Sequence, residues 1–237
     1  MTARIEICID DVAGLDACRD GGADRVELCS ALDLGGLTPS PGLITAAAQL
    51  SIPVRAMIRP RAGDFHFSEA EIGVMLSEIA AVRAAGLEGV VLGASTRDDQ
   101  LDTETLKRLI AAAGSLGKTL HRVVDTFHDP LTAVDQAIEL GFDCILTSGG
   151  ALRAEGGTDV IAAMVARAAG RIEIMAGSGV KSGNAAEIRR LTGVTWLHSS
   201  CAGTTPNTGE TVRLGFGPND RRFTDPERIH ALRAALA

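Results

Sequence analysis

Short apolar runs recur along the chain, and each is followed by a stretch with helical periodicity. The runs are residues 5–9 (IEICI), 25–29 (RVELC), 54–59 (VRAMIR), 89–93 (GVVLG), 119–125 (TLHRVVD), 144–148 (CILTS), 172–177 (IEIMAG) and 196–200 (WLHSS). Strands that alternate with helices imply βαβ units and a parallel sheet. Local punctuation agrees. Ser68 with Glu71 reads as a capping box, and Asn184 with Glu187 as a similar one. Asp129-Pro130 and Asp225-Pro226 read as an N-cap followed by proline at the first helical position. Gly86, Gly117 and Gly141 stand where helices should stop. Eight such units in 237 residues predict an α/β fold of the (βα)8 TIM barrel type. A doubly wound open sheet is the alternative. One domain over 1–237 is expected, with a long loop at 202–224 before the last helix. Two other long connections, 30–38 and 60–67, also follow strands, so all three fall at the C-terminal mouth where barrel sites are built.

Strand parity then sorts the side chains, because alternate residues face opposite sides. Ile5, Ile7 and Ile9 share the helix-facing side, which turns Glu6 and Cys8 into the barrel. The same reading turns Glu27 and Cys29 inward on the second strand, and Arg55, Met57 and Arg59 on the third. On the fifth it turns His121 and Asp125 inward. A barrel built only for stability would fill these places with Val, Ile and Leu, since buried charge is expensive. The cluster therefore points to a ligand or catalytic site. Its bland counterpart is an ion network of Glu6 and Glu27 against Arg59 and His121.

Glu6, Glu27, His121 and Asp125 are the candidate acid–base groups. Two glycine-rich turns, Ser148-Gly149-Gly150 and Gly177-Ser178-Gly179, free backbone N–H groups to hold an anion, with Arg59 as their cationic partner. Plain turn geometry would also explain the glycines. Cys8 and Cys29 each stand two residues after an inward Glu. As a pair of thiolates they would suit a soft ion such as Cu(I), with Met57 as a soft third ligand. As single thiols they would be small buried hydrophobes. His198, beside Ser199 and Ser200, is open between a site residue and a core histidine. His66, His128 and His230 read as solvated.

Composition narrows the classes. Apolar residues make up 46% of the chain and aromatics only 3%, with no Tyr, so the core rests on aliphatic side chains. The formal net charge of −7, without a basic block, argues against nucleic acid and anionic membranes. No apolar run reaches membrane-span length. Five cysteines without CxxC spacing read as reduced thiols of the cytoplasm. No P-loop, Rossmann fingerprint, nucleophile elbow or HExxH motif is present.

Several blocks are distinctive: IEICIDD, GGADRVELCSALDLGGLTPS, MIRPRAGDFHFS, HRVVD, DCILTSGG, and MAGSGV followed by HSS. In that order they resemble the copper homeostasis protein CutC family, over residues 5 to about 200. The resemblance implies a TIM barrel, a cytoplasmic homo-oligomer and a role in copper handling. It also implies Cu(I) at two strand-end cysteines, which match Cys8 and Cys29. Leu120 and Val124 depart from the aromatic residues common in family members, on the outward face. Two functional readings follow. One is a copper-binding protein without turnover. The other is a barrel enzyme acting on a small phosphorylated or carboxylated metabolite, with a hard divalent metal on Glu6, Glu27 and His121 as a variant.

Overall fold

A computed structural model describes residues 3–237. Eight parallel strands close in chain order: β1 (Arg4–Ile9), β2 (Arg25–Leu28), β3 (Val54–Met57), β4 (Gly89–Leu92), β5 (Gly117–Leu120), β6 (Cys144–Thr147), β7 (Glu173–Ala176) and β8 (Trp196–Ser199). β8 pairs back onto β1, so the sheet has no edge. Seven helices follow the first seven strands, from α1 (Val12–Gly21) and α2 (Pro41–Ala47) through α3 (Glu69–Ala85), α4 (Thr103–Ala113), α5 (Pro130–Leu140) and α6 (Thr158–Ala168) to α7 (Ala185–Thr192). This is the (βα)8 barrel and not the open sheet.

The outward parity explains the main core. Ile5, Ile7 and Ile9 are at most 1% exposed and pack in one cluster with Ile72, Leu106, Val134 and Ile161 from the helices. The lumen is different. Two small apolar groups lie inside it, Cys29 with Met57 and Val91, and Cys144 with Leu146 and Met175. Charged and polar side chains occupy much of the rest. At the N-terminal end of the strands, Arg55 donates to Glu88, Asp143 and Thr119.

Four sequence expectations need correction. β5 ends at Leu120, and residues 122–126 form a 3-10 turn (Arg122–Thr126) instead of continuing the strand. The His121 ring accepts the Val123 amide at 3.2 Å, which diverts the backbone from the ladder. Asp125 therefore owes its position to this turn and not to strand parity. Gly117 begins β5, while α4 stops at Gly114. Asn184 makes no capping box: its side chain accepts from Lys181 N and donates to Gly179 O, so it ties the β7–α7 turn instead. Residues 202–224 are not one loop. They form a hairpin of β9 (Ala202–Pro206) and β10 (Asp220–Thr224) around the short α8 (Glu210–Arg213), ahead of α9 (Pro226–Ala234). The capping box at Ser68 and the caps at Asp129 and Asp225 form as expected.

Candidate metal centre at the barrel mouth

Strand register decides which interior side chains meet. β1 lies beside β2 so that Glu6 is level with Arg25 and Cys8 with Glu27. On the other side, His198 of β8 is level with Glu6. Cys8 and Cys29 are therefore not equivalent, because Cys29 stands one interior layer above the level of Cys8. It is fully buried against Met57, Val91 and Leu32, and its Sγ donates to Glu27 at 3.5 Å. Cys8 itself belongs to a mixed cluster. Cys8 Sγ, a Glu27 carboxylate oxygen and a His198 ring nitrogen lie within 4.8 Å of one another, all on buried residues.

Glu6 sits behind this cluster. It is fully buried and ion-paired with Arg25, and its other oxygen accepts from His198 Nδ1 at 2.8 Å. Arg25 in turn lies over the Trp196 ring, 4.2 Å from its centroid. Burial alone would raise the Glu6 carboxyl, but Arg25 and His198 overcome it and bring it down to about 2. Glu6 thus favours its carboxylate form and accepts from His198. It is not part of the cavity wall and does not converge there with the other candidates. The interior charges do neutralise one another in part, through Arg25 and His198 and not through Arg59 and His121.

The cluster suits a metal ion. A carboxylate on one ring nitrogen fixes the tautomer and leaves the other nitrogen as a donor, the arrangement that commonly supports metal-bound histidine. His198 Nε2 faces Glu27 at 3.7 Å. Burial opposes charge on His198, yet Cys8 and Glu27 together hold its proton well beyond the ordinary range. A position that retains a proton among acidic donors can exchange it for a metal cation. Burial raises the Glu27 carboxyl, and its Oε1 has no hydrogen-bond partner among the described residues. A cation would satisfy that oxygen.

A cavity of about 820 Å³ opens above the cluster, lined by Cys8, Glu27, His121, Asp125 and His198 among others. His121 is buried, and burial followed by nearby Arg59 pushes it down to about 3. This favours the neutral imidazole, and Nδ1 accepts from the Val123 amide while Nε2 has no hydrogen-bond partner among the described residues. Gly93 makes room for it, since a Cβ there would lie 2.5 Å from the ring. Arg59 reaches the cavity wall, but its guanidinium donates to the carbonyls of Leu34, Gly36 and Gly63 and stacks on Phe65. It holds two loops together, and its Nε has no hydrogen-bond partner among the described residues.

The first glycine turn already has its anion. Asp125 accepts from the amides of Ser148 and Gly150 at 3.0 and 3.1 Å and from Thr147 Oγ1 at 2.6 Å. Gly149 N donates to Thr147 Oγ1, and a Cβ on Gly149 would collide with Gly157 O. Ser148 and Gly150 thus hold Asp125, and Gly149 bonds Thr147, while Asp125 and Gly150 also line the cavity. In the second turn Gly177 N donates to Thr147 O, while Gly179 stays open to the cavity.

The sequence profile of the CutC family matches residues 3–203. The chain belongs to the CutC family. A CutC-family protein of Sinorhizobium medicae is 50% identical over 233 residues, covering 98% of this chain and 95% of that protein. One from Caulobacter vibrioides is 49% identical, covering 97% of each. Among solved structures, the CutC of Streptococcus agalactiae, provisionally named a copper homeostasis protein, superposes with a TM-score of 0.80 at 33% identity. It covers 84% of this chain and 98% of that one. Thiamine phosphate pyrophosphorylase of Pyrococcus furiosus, at 14% identity and a TM-score of 0.59, shares the barrel fold. This CutC-family chain has no helix among the described residues that is long and apolar enough to cross a membrane. Its site contains two residues that strand parity could have supplied. Arg25 shares the face of Glu27, and His198 is the one histidine on β8.

Proposed function

We infer that the protein binds one transition-metal ion at Cys8, Glu27 and His198, and that its biological role is in metal handling, with copper as the cargo. The observation that carries this reading is the buried three-donor cluster with Glu6 locked behind His198. The donors are one sulfur, one nitrogen and one oxygen. Cu(I) prefers the thiolate and imidazole, and a borderline divalent ion such as Cu(II) or Zn(II) would also use the carboxylate. The copper name of the Streptococcus agalactiae relative supports copper within this set. Five free, buried cysteines support a reducing, cytoplasmic setting. Exposed Leu214 and Phe216 in the β9–β10 hairpin support self-association. Equilibrium dialysis of chelator-stripped protein against Cu(I), Cu(II) and Zn(II) tests the reading. One ion per chain with sulfur and nitrogen in its X-ray absorption shell is expected, and no retained ion would refute it.

The cavity favours a second reading. A single ion does not need about 820 Å³ of space lined by Glu27, His121 and Arg122. A small metabolite would fill it, and Glu27 would then be the acid–base group. Turnover of a candidate compound, lost in Glu27→Gln, tests this alternative.

A further inference from the structure

A second cavity, of about 700 Å³, lies beside the first, between the turns that follow β7 and β8. Its lining holds four cationic side chains, Arg153, Lys181, Arg222 and Arg228, and no carboxylate, in a chain whose net charge is −7. Arg222 is 3.7 Å from Asp33 and touches Ser200 Oγ at 3.4 Å. Arg228 donates to Ala202 O at 2.6 Å and lies 3.4 Å from Asp225. Arg153 and Lys181 have no ion-pair partner among the described residues.

The backbone of the β7–α7 turn is polarised in the same sense. Its carbonyls are taken: Ser178 O by Ala154 N, Gly179 O by Asn184 Nδ2 and Val180 O by Ser199 Oγ. The amides of Gly179 and Val180 have no acceptor among the described residues. Gly179 has φ +72 and no side chain, so the Arg153 stem can lie against the turn, where a Cβ would be 3.0 Å from it. Free amides, two unpaired cations and the Ser182 and Ser200 hydroxyls line one space, a combination that suits a tetrahedral oxyanion. The end of the barrel after the seventh and eighth strands is also where phosphate groups are held in many barrels.

We propose that this cavity binds the phosphate group of a small phosphomonoester. The ester's organic part would extend into the larger cavity, because Ser178, Gly179, Val180, Ser199, Ser200 and Arg222 line both. The site is independent of any metal ion at Cys8.

Calorimetric titration of the chelator-treated full chain with inorganic phosphate and with glycerol 3-phosphate tests the proposal. Both probes should bind, the ester at least as tightly. Arg153→Ala with Lys181→Ala should weaken both by roughly tenfold or more, since each removes a charge-assisted hydrogen bond. Both side chains are exposed, so the fold should survive, which circular dichroism can check. Lys107→Ala with Arg167→Ala removes equal charge elsewhere and should leave binding unchanged. The proposal fails if neither probe binds at millimolar concentration. It fails also if both double variants weaken binding equally, or if the ester binds more weakly than free phosphate.

Discussion

Glu6 accepts a hydrogen bond from His198 Nδ1 at 2.8 Å, across the seam where β8 closes the barrel onto β1. The same carboxylate pairs with Arg25, so one buried anion serves two cationic partners. Breaking such a pair from one side strands the other charge in the lumen. Glu6→Gln should therefore destabilise the fold by about 3–5 kcal/mol, because Arg25 is left uncompensated. Combining it with Arg25→Met should recover most of that loss, since the stranded charge goes too. Urea unfolding of the two single variants and the double variant measures the coupling. Simple addition of the two losses would show that the pair does not act as a unit.

His121 links stability to pH. Its folded-state value of about 3 lies below the ordinary 6.5, so the folded protein keeps it neutral where the unfolded chain protonates it. Its contribution is present above 6.5 and is lost as the pH falls toward 3. The slope is up to about 1.4 kcal/mol per pH unit. His121→Asn keeps an acceptor for the Val123 amide but cannot titrate. Between about pH 7.5 and about pH 5, wild type should lose ~2 kcal/mol more than this variant in urea unfolding. Parallel losses would show that the ring is not held neutral.

Asp125 tests whether the Ser148–Gly150 turn is structural. Its carboxylate accepts from two backbone amides, from Thr147 Oγ1 and from Arg122. Asp125→Ala should cost about 2–4 kcal/mol by leaving buried donors unsatisfied. Hydrogen exchange at Ser148 and Gly150 should accelerate together in the variant. Unchanged protection of these amides would mean that Asp125 is not their anchor.

Much of this was legible from residue pattern alone. The Ile5, Ile7, Ile9 alternation correctly placed the helix-facing seam and so the inward course of Glu6 and Cys8. Register was not legible, because parity says which face a side chain takes but not which neighbour it meets. Sliding β2 by one interior layer exchanges Glu27 for Cys29 beside Cys8, and only the backbone pairing decides between them. Arg25 carried the necessary signal, since it shares parity with Glu27. His198 lay at an interior strand position of a type suited to metal or acid–base work. The Asp125 contacts could not be read, because they depend on a 3-10 turn that begins where the apolar run still looks like strand. The cations of the second cavity were equally hidden, as Arg153, Lys181, Arg222 and Arg228 come from four separate segments of the chain, although its glycine turn was visible.

In the proposed centre Cys8, Glu27 and His198 hold the ion and Cys29 does not. Anaerobic Cu(I) titration against a competing chromophoric chelator, on wild type, Cys8→Ser, His198→Gln and Cys29→Ser, separates the two ligand sets. Loss of a ligand should exceed the roughly hundredfold ceiling typical of residues that only support a ligand, so Cys8→Ser and His198→Gln should each weaken binding by more than that. Cys29→Ser should leave affinity nearly unchanged. If Cys29→Ser weakens binding as much as Cys8→Ser does, the ion sits between the two thiols and the mixed-donor centre is wrong.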